Sequence, residues 1–193
     1  MDNTVPLKVQ EAIFDQLLDH AENKVCADCP NKSPTWTSID FGVFICLRCA
    51  GKDTISLLLC ATAFFWVLPF SDPFLIIILL GVHRQLGPNV TLVQSAKLDS
   101  WKMDKIEILA AVGNKIANNY WEHSLPSYYR RPDITTSMED VRRMVNDKYI
   151  KRLYANKDAR NPVEEFVEAR KNSQMTAGAF RQLKLEQMYI FMT

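Results

Sequence analysis

With 193 residues, 23 Lys plus Arg and 22 Asp plus Glu, the chain carries a net charge of +1 and has room for one ordinary core. That balance provides no global positive field, so a general nucleic-acid binder is disfavoured. At 48% hydrophobic and 23% charged, with 6 Gly and 9 Pro, the composition excludes collagen-like, coiled-coil and wholly disordered chains.

In chain order, the start MDNTVPLKVQEAIFDQ has no apolar signal-peptide core, which points, with five cysteines, to a reducing compartment and unpaired thiols. Val9, Ile13, Leu17 and Leu18 recur at helical spacing and predict an amphipathic helix over 7–23. A loop follows from Lys24 to Asp40, carrying Pro30, Asn31, Ser33 and Pro34, and leads into a buried strand at Gly42-Val43-Phe44-Ile45. Residues 91–98 read as a second strand, 101–112 as a helix closed by Gly113, and 114–123 as a further helix. Ser137 with Asp140 three residues on is a helix-start signature, followed by the stripe Val141, Met144, Val145, Tyr149 and Leu153. From 156 to 193 the chain turns polar and reads as a loosely attached helical tail.

The strongest local signal is Cys26-Ala27-Asp28-Cys29 followed, after 16 residues, by Cys46-Leu47-Arg48-Cys49. Each C-x2-C pair places two thiolates on one tight turn. Two such turns complete the tetrahedral four-sulfur shell that structural Zn2+ prefers, with Zn–S near ~2.3 Å. All four positions are filled by protein, so the pattern favours a structural staple over catalytic zinc. A redox reading of the pairs lacks the βαβ context it needs.

The segments NKVCADCPNKSPTWTSIDFGVFICLRCAG, GVHRQLG, SAKLDSW and GNKIANNYWE, in that order, resemble the zinc module of the ArfGAP family, and within it the small stromal-membrane-associated subgroup, over residues 10–157. The resemblance implies an α+β domain with a short central sheet flanked by helices. It further implies GTPase activation on Arf-family small GTPases in their GTP form, in vesicle trafficking. By the family pattern Arg84 is an arginine finger acting in trans, and Trp36 packs beside it and supports it. Asp99, Trp101, Gly113, Asn114, Trp121 and Glu122 also match the family and are read as structural, with Asn114 and Asp99 as hydrogen-bonding caps. His83 is read as a packed residue and not an acid/base catalyst. Gln94 stands where the family commonly has a basic residue. The implied location is cytoplasmic, with transient peripheral association at Golgi or endosomal membranes.

One departure stands out: 34 residues separate Cys49 from Arg84, where the family has four. Removing Lys52 to Gly81, 30 residues, restores that spacing. The removed segment is uncharged from Thr54 through Ser71, which just reaches transmembrane length, yet Pro69, Asp72 and Pro73 interrupt it. A crossing there would also place the thiolates and the arginine on opposite sides of a bilayer. Its Phe, Leu and Ile content, and glycine junctions that can encode a splice donor and acceptor in one phase, match a retained intron, with a genuine membrane-inserting loop and a buried core insertion as the alternatives. Cys60, inside it, is an apolar filler and not a fifth ligand.

The domain layout expected is therefore an ArfGAP-like zinc domain over 8–157, interrupted at 52–81, and a tail over 158–193. A GATA-type nucleic-acid finger would need a basic stretch after the second cysteine pair, and this chain has apolar residues there. The basic clusters at 129–131 and 148–152 are small and distant. A catalytically inactive zinc-fold adaptor is the remaining alternative. No motif of an independent enzyme occurs.

Overall fold

The computed structural model describes residues 4–51 and 82–172. The segment 52–81 with Cys60, and residues from 173 onward, lie outside the described residues, as do the expectations attached to them.

Helix α1 (Leu7–Asp19) buries Gln10, Ile13 and Phe14, with Leu17 and Leu18 packed against the same cluster. Val9, expected on the buried stripe, is 42% exposed. Phe14 sets the helix rotation by packing on Trp101, centroid to centroid 4.7 Å, and Gln10 Nε2 donates to the Asp99 carbonyl at 2.7 Å. One helix buries one stripe, so Val9 faces water.

The region read as a loop contains strand β1 (Trp36–Ser38), the central strand of the sheet. Three residues next to Pro34 are too few to display alternation; β1 is defined instead by partners on both sides. It pairs antiparallel with β2 (Val43–Ile45), Trp36 opposite Ile45, and with β3 (Val93–Ser95), Trp36 opposite Ser95. β3 is shorter than the expected strand because Asp99 Oδ2 accepts from Ser95 N at 2.6 Å and turns the chain. Asp99 thus closes a turn and caps no helix.

Alternation places Val43 and Ile45 in one cluster and Phe44 in the other, so the sheet lies between two apolar cores. The first includes the four cysteines, Trp36, Phe41, Trp121, Val145 and Tyr149. The second includes Phe14, Phe44, Trp101, Ile106 and Leu109.

Helix α2 (Leu47–Ala50) follows β2 directly, and the four-residue α3 (Val82–Gln85) packs against it. α4 (Met103–Ala111) and α5 (Gly113–Trp121) cover the sheet, and α5 reaches the β2 edge through Asn114. Asn114 is no cap: its Oδ1 accepts from Phe44 N at 2.7 Å, and its Nδ2 donates to the Val25 and Phe44 carbonyls at 2.8 and 3.1 Å. Together with the Ala27 amide, which donates to the Phe44 carbonyl at 3.0 Å, it closes the β2 edge.

Helix α6 (Met138–Val145) starts as expected, Ser137 Oγ accepting from Asp140 N at 3.1 Å, and runs into a π turn over Asn146–Ile150. Leu153, expected on its stripe, is exposed because the chain has left the helix by then. Helix α7 (Pro162–Asn172) is firmly seated, contrary to a loosely attached reading of this stretch. Val163 is buried in the first core, and Arg170 Nη1 meets Glu107 Oε2 at 2.9 Å on α4. Among the described residues, no helix is long and apolar enough to cross a membrane.

Candidate metal centre and arginine turn

Cys26 and Cys29 lie on the loop before β1. Cys46 ends β2 and Cys49 sits on α2. The β1–β2 hairpin folds the two pairs together, and all four Sγ atoms lie within 4.8 Å of one another. Cys29 Sγ is 3.6 Å from Cys46 Sγ and 3.8 Å from Cys49 Sγ. A disulfide would need about 2 Å. A tetrahedral metal shell with bonds of ~2.3 Å has edges of about 3.8 Å, so the spacing suits ligands around one ion.

The surroundings suit thiolates. Cys46 N donates to Cys26 Sγ at 3.2 Å, and Asn31 Nδ2 donates to Cys46 Sγ at 3.3 Å. Hydrogen bonds from the other cysteines hold Cys46 far below the usual thiol range, while burial pushes Cys26 well above it. Four buried thiols cannot ionise together without a cation among them, and these residues are positioned to hold one.

Beside this cluster lies the arginine turn. Val82 and His83 of α3 are fully buried, and Arg84 is half-buried at its rim. The Arg84 guanidinium carbon stands 5.0 Å from the centroid of the buried Trp36 ring, in cation–π range. The structure therefore brings together the four cysteines, Trp36 and Arg84. Gln94 Oε1 accepts from Lys105 Nζ at 3.4 Å.

Between the cluster and the turn runs a buried polar network. Asp28 Oδ2 meets His83 Nε2 at 2.8 Å, and Asp28 Oδ1 accepts from Lys148 Nζ at 2.9 Å and from Tyr149 OH at 2.7 Å. Burial would push the Asp28 carboxyl up, but the Lys148 charge and the His83 hydrogen bond outweigh it and hold it below the usual carboxylate range. With Asp28 ionised, His83 Nε2 donates, and its Nδ1 meets Ser38 Oγ at 3.0 Å. Burial against that carboxylate pushes the Tyr149 hydroxyl well above its ordinary range.

Of the basic residues at 148–152, Lys148 is 1% exposed and turned inward, while Lys151 and Arg152 are exposed. Arg131 is likewise engaged, its Nη1 donating to the Ala27 carbonyl at 2.8 Å and its Nη2 to Glu122. The network that joins Asp28, Lys148, Tyr149 and Ser38 through His83 escaped the sequence reading, which placed Tyr149 on an apolar stripe and Lys148 in a basic cluster. The available signals were a carboxylate between two metal cysteines and a lysine within an apolar helical stripe.

A three-stranded antiparallel sheet, flanking helices and four cysteines positioned to hold a metal ion define a small α+β domain. The family model for ArfGap, described as GTPase activating protein for Arf, matches residues 11–53 and 74–158, and the chain belongs to this family. The match leaves out 54–73, inside the apolar segment.

Stromal membrane-associated protein 1 of Homo sapiens is 33% identical over 149 residues, 77% of this chain and 25% of that protein. The ADP-ribosylation factor GTPase-activating protein AGD12 of Arabidopsis thaliana is 30% identical over 134 residues, 69% of this chain and 31% of that protein. The chain thus spans a quarter to a third of these relatives. The ArfGap domain of HIV-1 Rev binding protein superposes with a TM-score of 0.55 at 16% identity, over 82% of this chain and 92% of that one. The ArfGap domain of human RIP gives 0.52 at 18% identity, over 76% and 87%. Both show the same fold.

Proposed function

We propose that the chain is a GTPase-activating protein for Arf-family small GTPases in their GTP form, with Arg84 entering the partner's nucleotide site in trans. The observation that carries this reading is the seating of Arg84: a half-buried guanidinium on a turn whose two preceding residues are fully buried, laid against Trp36 in a chain of this family. A planar, permanently charged guanidinium suits the charge that develops on a transferring phosphoryl group, and such fingers raise the rate by about 10³ to 10⁵. Trp36 supports the side chain. The hydrolysing water and the metal on the nucleotide belong to the GTPase, so the chain brings no reaction centre of its own.

Cys26, Cys29, Cys46 and Cys49 hold Zn2+ as a structural ion. Their soft four-sulfur donor set, closed on all sides, suits zinc and leaves no position for a reactive water. The protein works in the cytoplasm and transiently at Golgi or endosomal membranes as a peripheral protein, without nucleic acid. The apolar segment 52–81, a retained intron, weakens this activity. Amplifying the messenger across 52–81 tests its origin, since the long product alone excludes an intron.

The functional test is single-turnover GTP hydrolysis by membrane-bound Arf, run with the full chain and with a form lacking 52–81. Arg84→Lys is expected to lower the stimulated rate by about 10³ or more while metal content and thermal stability stay unchanged. An unchanged rate transfers the reading to the zinc-fold adaptor.

A further inference from the structure

We propose that Asp28 is a positioning residue for Arg84, acting through His83 and held by Lys148 and Tyr149, so that the metal knuckle and the arginine turn move as one body. This inference rests on the reading of Arg84 as the finger. Asp28 sits between Cys26 and Cys29 and its side chain has no exposed surface. Its two oxygens collect donors from two distant elements: His83 on α3 at 2.8 Å, and Lys148 and Tyr149 on the π turn at 2.9 and 2.7 Å.

The bond to His83 bears on Arg84 because the two residues share a peptide plane. The imidazole is held at both nitrogens, by Asp28 and by Ser38 at 3.0 Å, and Ser38 in turn meets Thr91 Oγ1 at 2.7 Å. Phe41 and Tyr149 face the ring edge-on, at 5.8 and 5.2 Å between centroids. A four-residue helix such as α3 has little stability of its own, so its orientation depends on such anchors. Ser38 also lies two residues from Trp36 on β1, so the ring beside Arg84 and the hydroxyl that holds His83 are fixed to one strand.

The arrangement is more specific than stability needs. A buried ion pair is commonly matched in stability by apolar side chains of equal volume, whereas an imidazole bonded at both nitrogens has a single orientation. Displacing a reacting group by about 1 Å costs on the order of 10²-fold in rate, which makes that orientation valuable here.

The test compares the full chain with Asp28→Asn and Ser38→Ala, reading metal content, backbone hydrogen exchange and stimulated GTP hydrolysis. Asparagine keeps the shape of Asp28 but removes the charge that Lys148 and Tyr149 address. With metal retained in Asp28→Asn, exchange at the Leu86 and Gly87 amides, which bond to the His83 and Arg84 carbonyls, is expected to speed up about 10-fold or more beyond any change at the β1–β2 amides. The stimulated kcat is expected to fall about 10- to 100-fold with KM within about twofold, and no further loss is expected in an Arg84→Lys background. Exchange at 86 and 87 that is unchanged or speeds up no more than at the β1–β2 amides, or an additive loss with Arg84→Lys, overturns the proposal. Should Asp28→Asn lose the metal, Ser38→Ala, which leaves Asp28 in place, is read by the same criteria. An Arg84→Lys chain as active as the parent, beside a loosened turn in Asp28→Asn, overturns the finger reading and with it the catalytic half of this proposal.

Discussion

Lys148 is the residue on which the interior charges converge. Its ammonium faces the Ala27 carbonyl at 3.1 Å, Asp28 Oδ1 at 2.9 Å, Asn118 Oδ1 at 2.9 Å and Glu122 Oε1 at 2.7 Å, four acceptors for three protons. Arg131, bonded to Glu122 and to the Ala27 carbonyl, brings the second positive charge that balances the two carboxylates. Removing one partner of such a set leaves a buried charge uncompensated, which costs about 3–5 kcal/mol. Lys148→Met, which preserves volume, is therefore expected to lose that much in denaturant unfolding, and a loss below about 1 kcal/mol would contradict the charge accounting. The clustering of the four cysteines was legible in the sequence because their motif is local and ordered, and the family resemblance set Trp36 beside Arg84, where the structure has it. The network was not, because Asp28 and Lys148 are 120 positions apart and nothing in a linear pattern pairs a carboxylate with a particular distant lysine.

At the scale of elements, the corner of the β1–β2 hairpin determines how the helices sit. Gly42 has φ 72°, and a Cβ there would stand 2.6 Å from Val112 Cγ1 and 2.9 Å from Val163 Cγ2. The α4–α5 corner and α7 therefore press directly on the hairpin backbone. Gly42→Ala faces both the left-handed conformation and a collision with two branched side chains, so a loss of about 2 kcal/mol or more is expected. Thermal unfolding checks it, and a shift of less than about 2 °C would mean that α7 yields easily. The same contact explains what the sequence hid. Helices with caps and stripes, such as α6 with Ser137, are legible, while α7 carries a weak stripe whose one buried residue, Val163, acquires meaning only from the groove beside Gly42. β1 was missed for a similar reason, since its identity lies in its two neighbours.

At the scale of the whole molecule, the question is how an apolar segment coexists with a site assembled on both sides of it. α2 ends at Ala50 and α3 begins at Val82, and the two pack together, so the chain before and after 52–81 meets at the metal cluster. Closing a longer loop between fixed ends costs only ~0.6 kcal/mol per doubling of length, so the length of 52–81 is compatible with the four-cysteine cluster and the α2–α3 contact. Association is another matter. The described chain resumes at Val82, two positions before Arg84, and on the proposed reading the apolar composition of 52–81 is expected to hinder a GTPase at that face. The form lacking 52–81 is accordingly expected to stimulate membrane-bound Arf at least about 10-fold faster than the full chain in single-turnover hydrolysis, with equal metal content in both. Equal rates would make the segment a tolerated loop, and no stimulation by either form would favour an adaptor that uses the metal-stapled fold only to hold its partner.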